Sequence, residues 1–378
     1  MSVWTADSVE TARKAGWDAV LDPDDLFRSP GWLELESEQT NLPPVYYLAG
    51  TDDGAAEAGL SCYPLDAASE PWPFMRVDRT LRMLAERHGV EVGRQAEAAL
   101  DALLPTYLCG GRRVPNTAVP SAPGLDADRR RQRVGELVAA VEADARDGGV
   151  ASVAFLFAGA GDTALRETLR ARGYLEFPTA NYSTMRLPGP GFDAYLELIA
   201  PDRRRKVRYE RRQLEAAGLR FTVEPLTGPL TAELVPLLLQ HGGKYGHRYT
   251  AEGMTRNLEL HARHCGAAAE VIAARDADGV LRGFSLVVRR GDRLYVRQTG
   301  YDYDWLGKLP LYFALCFYEP VEHAGRTGAT TLDYAVATEQ AKVSRGCVLE
   351  ERLGYLKAFD AGTHESAAGL LRLLGQPA

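Results

Sequence analysis

The alternation of apolar and polar residues predicts a strand at residues 293–303, in the C-terminal half of the chain. The strand breaks at Gly300, and a polar loop follows it. Pro310 stands where the first turn of a helix is expected, so the pattern predicts a helix at 311–325 and then a short strand at 331–334. Such an order of elements can turn backbone N–H groups and a helix dipole toward an anionic ligand. We therefore expect a reaction centre in this stretch.

The other elements form two successive arrays of strands and helices. In the first half, the pattern predicts a strand hairpin at 45–65 and a strongly amphipathic helix at 127–147. In the second half, it predicts a long basic helix at 202–217 and a pair of strands at 269–289. Each half thus contains helices, a meander of strands, a further helix and further strands.

The length of the chain, 378 residues, also favours two domains over one. The densest group of breaking residues in the middle of the chain is Pro188-Gly189-Pro190-Gly191, which predicts a boundary near residue 190. We therefore predict an α/β (α+β) fold with domains at 1–190 and 191–378. Each domain is expected to be a mixed, mostly antiparallel sheet flanked by helices.

Charge and cysteine usage narrow the functional classes. The formal net charge of -7 repels nucleic acid, so DNA is not an expected partner and any RNA contact needs a local basic patch. The five cysteines are scattered, which argues against a structural metal site or a disulfide framework. Neither a signal peptide nor a membrane span is visible, so we expect a cytoplasmic protein without membrane contact.

Several short sequence segments of the second half resemble motifs of one enzyme superfamily. They are residues 202–208 with 211–212, 279–284, 295–302, 332–334, and Lys342 with 345–346. With the element order, they resemble the GNAT superfamily, specifically its tandem-domain Fem-type aminoacyl transferases and predicted N-acyltransferases. The resemblance implies two tandem GNAT-like domains that join an activated acyl group, from acyl-CoA or aminoacyl-tRNA, to an amine without metal or redox cofactor. The second domain is expected to carry the main acyl-transfer site.

The donor is the first open question. The phosphate-binding loop of acetyl-CoA enzymes, (R/Q)-x-x-G-x-(G/A), is incomplete here: Gln298 and Gly300 have the wrong spacing, and Leu156 occupies the Arg/Gln position before 159–161. Aminoacyl-tRNA is therefore favoured as donor, while acyl-CoA-dependent acylation of a small amine stays open. A degenerate GNAT pair that only binds a ligand is the third possibility.

Donor contacts are expected from the basic helix and from the stretch 298–308. Arg204, Arg208 and Arg211 fall on one face of the helix at helical spacing and could neutralise phosphates. A solvated helix face explains them equally well. Gln298, Gly300, Trp305 and Lys308 are the other donor candidates. Trp305 could stack on a base or cap the core.

The catalytic candidates are Lys342, Arg345, Asp333 and Tyr303. Attack of an amine on an ester or thioester builds negative charge on the carbonyl oxygen, and a fixed cation can stabilise it. The resemblance to Fem-type enzymes favours Lys342 for this role, whereas Arg345 could equally form a surface salt bridge. The amine must lose a proton, for which Asp333, Glu339 or Tyr303 could act as base.

The acceptor is expected at the Gly-rich segment 241–247, after a helix predicted at 232–240. Its polar residues Lys244, Tyr245 and His247 are the acceptor-binding candidates, although an ordinary solvated loop would look the same. The acceptor itself is either a small-molecule amine of natural-product biosynthesis or a cell-wall precursor. We expect a monomer or a homodimer.

Overall fold

A computed structural model describes residues 2–375, except for the side chains of Ser2 and Pro73. Its strands are β1 (Ser2–Ala6), β2 (Val45–Gly50), β3 (Ala56–Leu65), β4 (Thr106–Cys109), β5 (Ser152–Gly159), β6 (Leu175–Arg186), β7 (Arg220–Pro225), β8 (Ala269–Arg275), β9 (Leu281–Arg290), β10 (Arg293–Tyr301), β11 (Thr331–Asp333) and β12 (Val348–Ala358).

Helices lie between most of these strands, whereas β2 and β3, and β8 to β10, follow one another directly. They are α1 (Val9–Lys14), α2 (Pro30–Ser37), α3 (Val77–Arg87), α4 (Arg94–Asp101), α5 (Ala127–Asp147), α6 (Thr163–Ala171), α7 (Phe192–Glu197), α8 (Pro201–Ala216), α9 (Gly228–Lys244), α10 (Ala251–Cys265), α11 (Tyr303–Leu306), α12 (Leu311–Phe313), α13 (Glu319–Thr327), α14 (Glu339–Val343) and α15 (Ala361–Leu373). In the described part of the chain, no helix combines the length and the apolar character needed to cross a membrane.

The chain forms two compact units. One consists of residues 1–182 and 350–378 and is called the outer unit, because its two segments flank the other unit in the sequence. The other consists of residues 183–349 and is called the inner unit. This division differs from the predicted one, because the last strand and helix belong with the first half. The physical reason is β12, which pairs antiparallel with β5, with Tyr355 opposite Phe155. The predicted boundary at 188–191 lies in the turn between β6 and α7.

In the outer unit the strands follow the order β1-β2-β3-β4-β5-β12-β6. The pairs from β1 to β4 and the pair β5–β12 are antiparallel, whereas β4 and β5 run parallel. β5 is buried on both faces, and its side chains alternate between two cores: Ala154 and Leu156 pack into one, Val153 and Phe155 into the other. A strand covered on both faces has a nearly continuous apolar sequence.

In the inner unit β7, β8, β9 and β10 form an antiparallel meander, and β10 then pairs parallel with β11. The last residues of β6 pair antiparallel with β11. α8 and α13 pack against this sheet through Val207, Leu214 and Val321. Both units thus contain mostly antiparallel sheets flanked by helices, which confirms the predicted fold class.

The helix predicted at 311–325 contains a wide turn. Residues Ala314–Tyr318 form a π-helical turn between α12 and α13. Pro320 supplies the reason, because it has no N–H for the carbonyl of Cys316 and its ring clashes with an α-helical carbonyl at that position. π-turns of this kind occur frequently at functional sites.

Gly300, a predicted donor contact, instead makes room for a helix. A Cβ added to it would lie 2.5 Å from Cε1 of Phe284 and 3.0 Å from the backbone carbon of Leu237 in α9. We expect Gly300→Ala to lower the free energy of unfolding by about 1–3 kcal/mol, measured by chemical denaturation. Gly135→Ala in α5, where no atom lies within 4 Å of the new Cβ, is the control and should not destabilise.

Candidate functional site

A cavity of about 320 Å³ opens in the inner unit where β10 and β11 separate. β11 pairs with β10 only as far as Tyr295 and Asp333, and the chain then turns away through residues 334–338. Within the described residues, the β10–β11 pairing thus ends before Val296, and the edge of β10 borders the cavity from there. Main-chain N–H and C=O groups of a strand edge can bind an extended ligand.

A β-bulge turns β10 toward this cavity. The register with β9 shifts between Val296 and Gln298, so that Arg297 is the extra residue. All four residues from Val296 to Thr299 line the cavity, although side chains of a regular strand alternate between its faces. Bulges that redirect side chains occur next to active sites. The structure therefore places Gln298, a predicted donor contact, at the cavity wall.

Lys342 lines the cavity from α14, and its ammonium group holds the loop that follows β11. Its Nζ donates to the carbonyl oxygens of Tyr334 at 2.7 Å, Ala335 at 3.2 Å and Val336 at 2.6 Å. An ammonium group has three N–H donors, so these bonds use all of them. Lys342 therefore stabilises the shape of the cavity wall. It can donate to an acyl oxygen only by releasing one carbonyl.

The loop that Lys342 holds has an uncommon backbone. Ala335, Ala337 and Thr338 have φ values of 52°, 70° and 49°, a region that residues with side chains rarely adopt. Asp333 supports the same loop, because its Oδ1 accepts a hydrogen bond from the N–H of Ala335 at 3.2 Å. Backbone strain of this kind persists only where surrounding bonds enforce it, and it clusters at functional sites.

His241 and Tyr303 form a hydrogen-bonded pair at the cavity. Nδ1 of His241 lies 2.8 Å from Oη of Tyr303, and Nζ of Lys244 lies 3.9 Å from the centre of the Tyr303 ring. Burial, followed by the nearby charges of Lys244 and His247, lowers the pKa of His241 to about 4. The imidazole is therefore neutral at pH 7 and can accept a proton or a hydrogen bond.

The predicted acceptor segment is partly helical, since α9 extends through Lys244. Tyr245 and His247 line the cavity, and the rings of His241 and Tyr245 are 5.1 Å apart. No local pattern ranks His241 among the catalytic candidates, because its partner Tyr303 lies in a distant element. Burial also raises the pKa of the cavity residue Cys316 to about 11, which disfavours a thiolate there.

Arg345 lies away from the cavity, in a buried network. Its Nη2 donates to Oε2 of Glu210 at 3.0 Å, and its Nε donates to Oη of Tyr318 at 3.1 Å. Tyr318 in turn donates to Glu210. Arg345 and Glu210 are 1% and 3% exposed. This network joins α8, the π-turn and the residues after α14, so Arg345 supports the site rather than touching a substrate within it.

The remaining donor candidates also lie outside the cavity. Arg204 donates to the carbonyl of Ile199 at 2.9 Å, and Arg211 pairs with Glu322 at 3.1 Å. Lys308 is exposed on a loop. Trp305 is partly buried and packs against the core of the inner unit, and the guanidinium of Arg282 lies 5.0 Å from its ring centre.

The exposed basic face of α8 is formed by different residues. Arg205, Arg208, Tyr209 and Arg212 are exposed and follow one another at helical spacing, so they share one stripe. Tyr209 is 55% exposed. Among the described residues, the three arginines of this stripe form no ion pair. Of the predicted arginine face, only Arg208 belongs to it.

Comparison with known proteins identifies similar sequences and folds. The sequence profile of the FemAB-like family, described as peptidoglycan biosynthesis/recognition, matches residues 114–369. The chain is similar in structure to FemX, with a TM-score of 0.62 and 12% identity over 100% of both chains. No curated protein sequence matches it.

Two further solved structures share the fold. One is a tandem GNAT protein from the clavulanic acid biosynthesis pathway, with a TM-score of 0.53, 13% identity and coverage of 94% of this chain and 98% of that one. The other is L-PGS from Bacillus licheniformis, with a TM-score of 0.50, 12% identity and coverage of 88% and 90%. At these identities the likeness concerns the fold.

Proposed function

The chain belongs to the FemAB-like family, and from that premise we propose that it transfers an aminoacyl group from tRNA to an amine of a peptidoglycan precursor. The family and the GNAT fold confirm the predicted acyltransferase class. The description of the family as peptidoglycan biosynthesis/recognition favours a precursor as acceptor over a small natural-product amine.

The choice of aminoacyl-tRNA as donor rests on the exposed stripe on α8. Arginines at positions 205, 208 and 212 can neutralise successive phosphates, and the exposed ring of Tyr209 between them can stack on an unpaired base. The chain as a whole is acidic, with a formal net charge of -7, so a local basic patch is needed for any RNA contact. Glu210 on the same helix bonds to Arg345, three residues after the cavity residue Lys342.

In the proposed reaction the nitrogen of the acceptor amine attacks the carbonyl carbon of the aminoacyl ester. A C–N bond forms, the ester C–O bond breaks, and the ribose hydroxyl leaves with the proton that the amine gives up. Neutral His241 can accept a hydrogen bond that orients the attacking amine. Its pKa of about 4 makes it a weak base, so the proton of the amine passes on to the leaving ribose oxygen. N–H groups on the β10 edge can stabilise the charge on the carbonyl oxygen.

The donor is tested by supplying a labelled amino acid with tRNA and its synthetase, with and without ribonuclease. We expect labelled amide product that disappears with ribonuclease. Product that survives ribonuclease and requires acyl-CoA would assign the alternative donor. Absence of product with either donor, across precursor and small-amine acceptors, would favour a protein that only binds its ligand.

The α8 stripe makes a separate prediction about salt. Each of Arg205→Gln, Arg208→Gln and Arg212→Gln should weaken aminoacyl-tRNA binding and reduce the slope of log K against log salt by about 1, since each removes one phosphate contact. Filter binding at several salt concentrations measures this slope. Arg87→Gln changes an exposed arginine of the outer unit and is the control. If the three stripe variants have the same salt slope as Arg87→Gln, the stripe does not contact the RNA.

A further inference from the structure

We propose that the outer unit contains a binding site for an oxyanion, a carboxylate or phosphate group of a small ligand, at the carboxyl ends of β4 and β5. The inference begins with Arg112, which is 2% exposed. Its Nε has no hydrogen-bond partner, and within the described residues its guanidinium forms no salt bridge. A buried cation without hydrogen bonds is costly, so native structures supply it with a partner.

The buried carboxylate of Glu36, whose charge acts on Arg112, is not that partner. Glu36 is fully buried, and its Oε1 accepts from Nε1 of Trp32 at 3.1 Å and from the backbone N–H groups of Arg112 at 3.2 Å and Arg113 at 3.1 Å. Its Oε2 accepts from Tyr63. Oε1 thus accepts from three donors and Oε2 from one, and the guanidinium of Arg112 is not among these donors. The charge of Glu36 acts on this guanidinium without a hydrogen bond between the two side chains.

A second buried guanidinium borders the same loop. Arg28 is 2% exposed, its Nη2 donates to the carbonyl of Asn116 at 2.8 Å, and its Nη1 lies 3.3 Å from Oδ1 of Asp25. Its Nε is buried without a partner, as in Arg112. The buried Nε groups of Arg28 and Arg112 are therefore available as donors beside the loop 110–117. Guanidinium groups bind carboxylate and phosphate through paired N–H donors.

The backbone around this loop has the features of a ligand site. β4 and β5 run parallel, and the loop leaves the carboxyl end of β4 through Gly110 and Gly111, with φ values of 86° and 150°. At the carboxyl end of β5, Phe157 has a φ of 65°, and its carbonyl accepts from the N–H of Thr117 at 3.1 Å.

Two general rules connect this geometry to a ligand. A bulky residue held at positive φ is uncommon, and such strain clusters at binding sites. Ligands of open α/β sheets bind outside the carboxyl ends of parallel strands. The inner unit follows the second rule at β10 and β11, where its cavity lies. The β4–β5 pair is the corresponding place in the outer unit.

The test uses the whole protein and needs no acyl transfer, so its result is independent of the proposed function. Wild type and Arg112→Met are melted with sodium benzoate or with inorganic phosphate, at an ionic strength held constant with sodium chloride. We expect the melting temperature of the wild type to rise with the logarithm of the concentration of one of the two anions. The anion that acts identifies the group as carboxylate or phosphate.

The variant provides the second readout. Arg112→Met should bind the active anion about 10- to 100-fold more weakly, because it loses charge-assisted hydrogen bonds. Without anion it should lose much less stability than a variant of a hydrogen-bonded arginine, because only the attraction to Glu36 is removed and no hydrogen bond or salt bridge of the guanidinium is broken. A structural arginine provides the comparison. Arg133 is 3% exposed and pairs with Glu57 and Glu136, so Arg133→Met should destabilise and is the matched control.

Two results would overturn the proposal. One is a loss of stability in Arg112→Met as large as that in Arg133→Met. The other is a wild-type melting temperature that neither anion raises above the chloride control. Titration of the wild type with each anion, followed by tryptophan fluorescence, tests binding without any variant, since Trp32 bonds to Glu36 beside Arg112.

Discussion

Replacing Lys342 by methionine is expected to lower kcat/KM for acyl transfer by about 100-fold, which is the effect of a displacement of about 1 Å in a reaction centre. Methionine has a similar length but no N–H donors. The carbonyls of Tyr334, Ala335 and Val336 would lose the group that holds them together. The strained residues after them would relax, and the cavity wall would move.

The pH dependence of activity should identify the same group. Burial lowers the pKa of Lys342 to about 8, so the ammonium loses a proton, and with it one N–H donor, as the pH rises through this value. We expect kcat/KM of the wild type to fall above pH 8. The guanidinium introduced by Lys342→Arg does not titrate there, so this fall should be absent from the profile of that variant even if its activity is lower.

The effect of Lys342 on stability has the opposite sign. Its folded pKa of about 8 lies below the ordinary value of 10.5, so between these values the unfolded chain binds more protons than the folded one. This group therefore raises the free energy of unfolding as the pH rises from about 8 to 10.5. The increase should disappear in Lys342→Met, which denaturation at several pH values can measure.

Lys14→Met, which removes an exposed lysine of the outer unit, is the control for both measurements. Unchanged kcat/KM in Lys342→Met would contradict the assigned role. A fall in kcat with unchanged KM and an unchanged crystal structure of the loop would favour direct stabilisation of the acyl oxygen by the ammonium group.

Arg345→Met is expected to lower the free energy of unfolding by about 3–5 kcal/mol, because it leaves the buried carboxylate of Glu210 without its cation. The substitution should also disturb the cavity wall. Arg345 bonds to Tyr318, which belongs to the π-turn whose residues Cys316 and Phe317 line the cavity. Chemical denaturation measures the first effect, and KM for the donor measures the second.

The double variant Glu210→Met/Arg345→Met separates charge from packing. It should recover much of the stability, because an apolar pair of similar volume replaces the ion pair. Arg170→Met breaks a more exposed pair with Glu176 and should cost much less. A small loss in Arg345→Met, comparable with that in Arg170→Met, would show that Glu210 is not dependent on this arginine.

The features that local patterns encode were predictable from the sequence. Alternation predicts β10, and helical spacing with breaking residues predicts α5 and α8 close to their observed bounds. The reaction centre was expected in the stretch that does line the cavity, because a strand, a glycine and a returning strand have a recognisable order. The family resemblance rested on phrases in the same region.

Other features depend on contacts between distant residues and leave no local signal. The residues around Arg345 do not indicate that its partner is Glu210, which is 135 residues away. The loop after β11 adopts positive φ at two alanines and a threonine, where a glycine would have indicated it. Pro320 is a signal of the π-turn, although in the sequence it resembles an ordinary helix position. β12 was not predicted, because its pairing with β5 depends on contacts throughout the outer unit.

That late pairing has a consequence for synthesis on the ribosome. The inner unit is one continuous segment, so all of its strands from β7 to β11 are synthesised before β12. The outer unit starts first, but its β5 edge stays uncovered until the inner unit and residues 348–358 have been translated. Such an edge can pair with another nascent chain, so wrong strand pairing competes with folding during this interval.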